Sequence, residues 1–231
     1  MTPKTMLMVM VATICAELTL VSINAEDTRA VTRGNRQTEM RIRDYLESVV
    51  KSSGITVRIY YQAACRPSRN IEVLPLPFPS IRVQPPARSG SPLERVRQIF
   101  VKNADVTIVQ SPRGIIRVTI GKVSGAILRT KISSMRFDRY QRYTRHLAIS
   151  ALKETNEFQQ ALDTLGLDTV SDFDSSVQGP HPGMPHLPQS MKDMTADKVL
   201  DVIAKTFSGV GFYGECSNPV DSDGRKLIWI E

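Results

Sequence analysis

Ser91–Ile120 reads SPLERVRQIFVKNADVTIVQSPRGIIRVTI, and this stretch holds one complete structural unit. Ser91-Pro92-Leu93-Glu94 has the form of a capping box. Ser91 is the N-cap, Pro92 takes the first helical position and Glu94 stands three residues on. Val96, Ile99 and Phe100 give the helix its apolar face. Two β-branched runs follow, Val106–Gln110 and Ile115–Ile120, joined by the turn Ser111-Pro112-Arg113-Gly114. The unit is helix–strand–strand.

The same plan recurs at Thr195–Glu231. Thr195 caps a helix whose apolar positions are Val199, Val202, Ile203 and Phe207. A strand at Gly209–Tyr213, a turn at Ser222-Asp223-Gly224 and a last strand at Leu227–Ile230 complete it. Val96–Lys102 aligns with Val199–Lys205, and Gly114–Ile120 with Gly224–Ile230, as a weak internal repeat. Trp229 alternates with Ile228 and Ile230. The alternation predicts that the indole or the two isoleucines face the core, the other set meeting a partner surface.

Upstream of the first unit, Glu39–Ser53 carries Met40, Ile42, Tyr45, Leu46, Val49 and Val50 at helical spacing, and Gly54 supplies a stop. Ile55–Tyr61 (ITVRIYY) reads as a strand. The run Leu74-Pro75-Leu76-Pro77-Phe78-Pro79 cannot be a central strand, because proline donates nothing to a ladder; it reads as a buried covering loop or a polyproline ligand. Downstream, Ala126–Ile132 is a candidate strand. Arg136–Leu165 is the longest helical pattern, with Tyr140, Tyr143, Leu147, Ala151, Phe158, Leu162 and Leu165 on one stripe. Residues 171–193 are rich in Pro and Gly and read as a linker. The expected class is α+β: two small helix-covered sheet units, 39–132 and 194–231, joined by a long amphipathic helix at 135–170 and that linker.

Residues 1–25 have the layout of a signal peptide. Lys4 charges the n-region, Met6–Ala16 is an apolar run, and Ser22-Ile23-Asn24-Ala25 forms a small, polar exit. The run is too short for the roughly 20 apolar residues of a membrane span. Export with cleavage after Ala25 is the expectation, with 26–38 as a flexible lead-in and no transmembrane segment in the mature chain. Cys15 would leave with the leader. Cys65 and Cys216 remain, and in an oxidising compartment they are expected to form a disulfide.

Charge is distributed unevenly. Residues 26–150 carry 23 Lys/Arg against 9 Asp/Glu, and residues 151–231 carry 6 against 13. The halves either neutralise one another or leave a basic surface for anionic lipid or polysaccharide. Export argues against nucleic acid. The block Arg136–Arg145 interleaves arginine with aromatic residues, and Arg139, Arg142 and Arg145 are the candidate anion-binding residues. A solvated helix face explains the same pattern.

Catalytic motifs are thin: the sequence has no HExxH, GxSxG, Walker loop or GxGxxG. No cofactor is called for, and no catalytic or metal site is assigned. His181 and His186 could hold a soft metal with Met184, or be idle in an exposed loop. Asp221-Ser222-Asp223-Gly224 lacks the first and last ligands of a calcium loop and reads as a hairpin turn.

From about Met40 to Gly121 the chain resembles the short N-terminal domain of secretins and TonB-dependent receptors. The matching elements are Leu46–Gly54, Ile55–Tyr61, Ser91–Asn103 and Val106–Ile120, with Thr195–Glu231 similar to the second half of the unit. The connection Gln62–Gly90 is long for that family, and no outer-membrane barrel segment follows up to Glu231. The resemblance implies a periplasmic, non-enzymatic docking module that contacts an envelope protein. The alternatives are an envelope polyanion-binding protein and an enzyme of unrecognised type.

Overall fold

Helix 37–53 (α1) buries Ile42, Leu46 and Val49 completely, and Gly54, at φ 67°, ends it by donating its N–H to Val50 O at 2.8 Å. The structure is a computed structural model that describes residues 37–65, 78–112, 114–169, 183–207, 209–220 and 223–231. The expected leader and nearly all of the lead-in lie outside these residues. So do Leu74–Pro77 of the proline run, His181 and the first half of the Pro/Gly segment.

Strand β1 (Thr56–Ala63) follows α1, and helix α2 (Pro92–Phe100) opens with the capping box in place. Ser91 Oγ accepts from Glu94 N at 3.3 Å, and Glu94 Oε2 accepts from Ser91 N at 2.7 Å. Strands β2 (Val106–Gln110) and β3 (Ile115–Ile120) form an antiparallel hairpin. A single 3-10 turn at Ile127–Arg129 precedes β4 (Lys131–Arg136). Then come α3 (Arg145–Lys153), α4 (Asn156–Leu165), β5 (Leu167–Thr169), β6 (Ser190–Thr195), α5 (Ala196–Phe207), β7 (Val210–Cys216) and β8 (Lys226–Ile230).

Helices and strands mix as in an α+β chain, but the two hairpins share one sheet. Its order is β2-β3-β1-β7-β8-β5, and a separate pair β4-β6 is antiparallel. β1 runs parallel to both β3 and β7, which places it in the middle. Its first six residues are buried, as a strand covered on both faces requires. The repeat pattern leaves open whether the two units form one sheet or two, and here a single sheet spans both segments. The repeat also differs in placement. The second strand of the first hairpin lies against β1, whereas the first strand of the second hairpin does so.

Alternating side chains feed two cores. Val57, Ile59 and Tyr61 face α1, α2 and Phe78, together with Val118, Phe212 and Trp229. Tyr60, Tyr213, Ile228 and Ile230 face α3, α4, α5 and the β4-β6 pair. Trp229 is 8% exposed while both flanking isoleucines are fully buried. Both sides of β8 are covered, so neither set is left for a partner. Phe78, the described apolar residue of the proline run, closes over Tyr61 with ring centroids 4.7 Å apart.

The long helix expected over 135–170 is broken into β4, a run of turns, α3, α4 and β5. Asp138 explains the first break: its Oδ1 accepts from Tyr140 N and Gln141 N, both at 2.7 Å, and folds the chain into an Asx turn. Thr144 and Thr155 have extended backbones and separate α3 from what precedes and follows it. Tyr140 and Leu165, counted on the apolar stripe, end up exposed. The C-terminal end of the expected linker is also regular, since β6 pairs with β4.

Cys65 and Cys216 are joined by a disulfide across the ends of β1 and β7, with Cα atoms 5.4 Å apart. The two strands are already paired there, and the bond closes a sequence separation of 151 residues. Replacing both cysteines with serine is expected to lower the unfolding free energy by roughly 2–4 kcal/mol, mostly through a less restricted unfolded chain. Urea unfolding of the variant, read against the disulfide-bonded parent, checks it.

Candidate functional site

Three features bear on function: the outer edge of the sheet, the charged cluster beneath α5, and the arginine block after β4. At the edge, Ser111 N donates to Ile115 O at 2.8 Å and Gly121 N to Asp105 O at 3.1 Å. With the register Thr107↔Thr119 and Val109↔Arg117, the odd-numbered residues of β2 bond inward. Val106, Ile108 and Gln110 therefore turn their N–H and C=O groups outward. No strand lies beyond them among the described residues. Thr107 and Val109 are exposed on the face turned away from α2, and Val109 is 52% exposed. The opposite edge, β5, is only three half-buried residues.

The charged cluster sits between α5 and the sheet. Arg58, 1% exposed, points from β1 to Asp201 Oδ1 at 3.0 Å and to Asp197 O at 3.3 Å. Arg117 on β3 reaches both carboxylates, Asp197 Oδ2 at 2.8 Å and Asp201 Oδ2 at 2.7 Å. Tyr60 donates to Asp197 Oδ1 at 2.7 Å and accepts from Arg117 Nε at 3.1 Å. Burial pushes the Asp201 carboxyl above the usual carboxylate range, against the pull of Arg58. Gly211 makes room: a Cβ there would lie 2.7 Å from Arg58 Cδ. Two cations and two anions balance one another in charge, with Arg58 Nη2 left without a hydrogen-bond partner among the described residues, and the cluster pins α5 to the sheet. Sequence reading missed it because Arg58 and Asp201 are 143 residues apart. The one local signal was an arginine inside an otherwise apolar strand.

A second buried carboxylate, Glu215 on β7, accepts from Ser124 N, from Gly125 N at 3.2 Å and from Tyr213 OH at 3.0 Å. It fastens the loop before the 3-10 turn to the sheet.

The three candidate arginines part company. Arg139 is exposed in the turn after β4. Arg142 is half-buried and donates Nε to Leu187 O at 2.9 Å. Arg145 turns inward at the start of α3, with Nε and Nη2 shielded from solvent, and burial pushes its guanidinium down to about 10. The expectation of three arginines on one solvated helix face fails for Arg145, because the helix begins there and packs that side inward. Arg139 and Arg142 do meet, along one small cleft.

No family model matches the chain, and comparisons with curated proteins and with solved structures find no match.

His186 is exposed, its ring 5.4 Å from that of Tyr143, while His181 lies outside the described residues. Among the described residues no group of three or more His, Cys, Asp and Glu side chains is placed to hold a metal ion. None of the described helices is long and apolar enough to cross a membrane.

Proposed function

We propose that this chain is an exported, non-catalytic docking module of the cell envelope, engaging a partner protein through the β2 edge of its main sheet. The observation that carries the reading is the row of outward backbone groups at Val106, Ile108 and Gln110, beside exposed Thr107 and Val109. An extended segment of a partner can add to such an edge, gaining main-chain hydrogen bonds along its length. Residues 92–131 carry eight Lys/Arg against two acidic residues, which favours an acidic segment. The leader-like residues 1–25 and the disulfide agree with export.

The test uses the variant Gln110→Pro, which removes an outward N–H and no ladder bond. A photo-crosslinker at Val109 in the parent should trap one defined protein from envelope extract, and the Gln110→Pro chain should lose it while keeping its melting temperature. N-terminal sequencing of exported material should begin at Glu26. Salt-sensitive retention on anionic vesicles with no protein captured would favour the second reading, an envelope polyanion binder, which rests on the basic N-terminal half and exposed Arg139.

A further inference from the structure

The cleft beside β4 has a volume of about 300 Å³ and is lined by Phe137, Asp138, Arg139, Arg142, Tyr143 and Gln189. This is the lower end of the range for small-molecule sites, which run from about 300 to 1,000 Å³. Its walls are held by backbone bonds across the cleft. Phe137 N donates to Gln189 O at 3.0 Å, and Leu187 N donates to Arg142 O at 2.9 Å. The bond from Arg142 Nε to Leu187 O fixes the guanidinium plane. Neither Arg139 nor Arg142 forms an ion pair among the described residues, although each has a carboxylate neighbour in Asp138. One oxygen of Asp138 is committed to the Asx turn, and the other accepts no hydrogen bond from the described residues.

We infer that this cleft is a binding site for a sugar bearing an anionic group, a phosphate ester or a uronate. Two guanidiniums give the forked donors that an oxyanion requires. The Asp138 oxygen can accept from a hydroxyl and the Gln189 amide can donate to or accept from one, and a sugar ring supplies hydroxyls beside the Tyr143 ring. A bare phosphate fits poorly, since the Asp138 carboxylate would face it with no proton between them. The inference stands independently of docking at β2, which lies on a different part of the fold.

The test is calorimetric titration of the folded chain at low salt with glucuronic acid, glucose 6-phosphate, glucose and inorganic phosphate. Glucuronic acid or glucose 6-phosphate should bind saturably, and glucose and phosphate should each bind at least about tenfold more weakly. Arg139→Gln should lower the affinity by roughly tenfold without moving the melting temperature, because Arg139 is exposed and forms no ion pair among the described residues; Arg139→Lys should recover part of it. A trigalacturonate that binds more tightly than the monomer identifies a polysaccharide as the source, and equal affinity identifies a free sugar. Acidic sugars that bind no better than phosphate alone, or an Arg139→Gln chain with undiminished affinity, overturn the inference.

Discussion

Asp201→Ala is expected to lower the unfolding free energy by about 3–5 kcal/mol. The loss comes less from the ion pairs themselves than from what the truncation strands. Arg58 is 1% exposed and lies across the sheet beneath α5, with Asp201 Oδ1 at 3.0 Å and the Asp197 carboxylate more distant at 3.7 Å. Alanine at 201 leaves that guanidinium in a low-dielectric site with only the Asp197 carbonyl at 3.3 Å and the more distant Asp197 carboxylate. Burial already raises the Asp201 carboxyl, so the intact cluster carries a desolvation penalty that its pairing offsets. The double variant Arg58→Met with Asp201→Leu should therefore recover much of the loss. Chemical denaturation of the two variants checks both parts. A single variant as stable as the parent would mean that water reaches Arg58.

The second large effect is alkaline unfolding. Burial pushes the Tyr60 phenol up to about 12, and pushes Tyr61 and Tyr213 further above the ordinary range near 10. Below pH 10 both folded and unfolded chains keep these protons, and the contribution to stability is fully present. Above it the unfolded chain releases them while the folded chain holds them, so stability falls as pH rises. At pH 12 each retained phenol costs about 2–3 kcal/mol, and three together approach the whole stability of an ordinary domain. Tyrosinate absorbance at 295 nm should accordingly rise in step with the loss of near-ultraviolet dichroism. Tyr61→Phe is the informative control, because the Tyr61 hydroxyl has no hydrogen-bond partner among the described residues. Its removal should shift the alkaline transition upward without lowering stability at pH 7. Ionisation of these three phenols in an intact fold would contradict the assignment of burial as the cause.

Gly214 shows how closely that region is packed. A Cβ there would sit 2.5 Å from Tyr61 Cζ, and the Tyr61 ring is held between Phe78 and Trp229. The strand glycine is where an aromatic ring lies directly on the backbone of β7, a reason for its presence that no turn or repeat pattern expresses.

Part of the candidate site was legible and part was not. Arg139 and Arg142 stood out as arginines beside aromatics, and they do line one cleft. Arg145 fits the same local pattern but turns its Nε and Nη2 inward, since the assumption of one continuous helix gave it the wrong side. The expected helix fails at Asp138, whose side chain can cap a turn as readily as sit on a helix face. The β2 edge could not be read at all, because whether a strand is central or peripheral depends on partners elsewhere in the chain.

Local chemistry was sufficient wherever one segment settles its own hydrogen bonds. The Ser91 capping box, the Gly54 stop, the β2–β3 hairpin and the α5–β7–β8 unit were all determined by residues within a few positions of each other. Tertiary structure alone decided that β1 joins β3 on one side and β7 on the other, making one sheet from two hairpins. Tertiary structure also decided that Arg58 meets Asp201 and that β8 is covered on both faces. Those outcomes depend on burying apolar surface between segments far apart in the sequence, 143 residues in the case of Arg58 and Asp201. A hydrophobic face specifies that it must be covered, and leaves open which distant segment covers it.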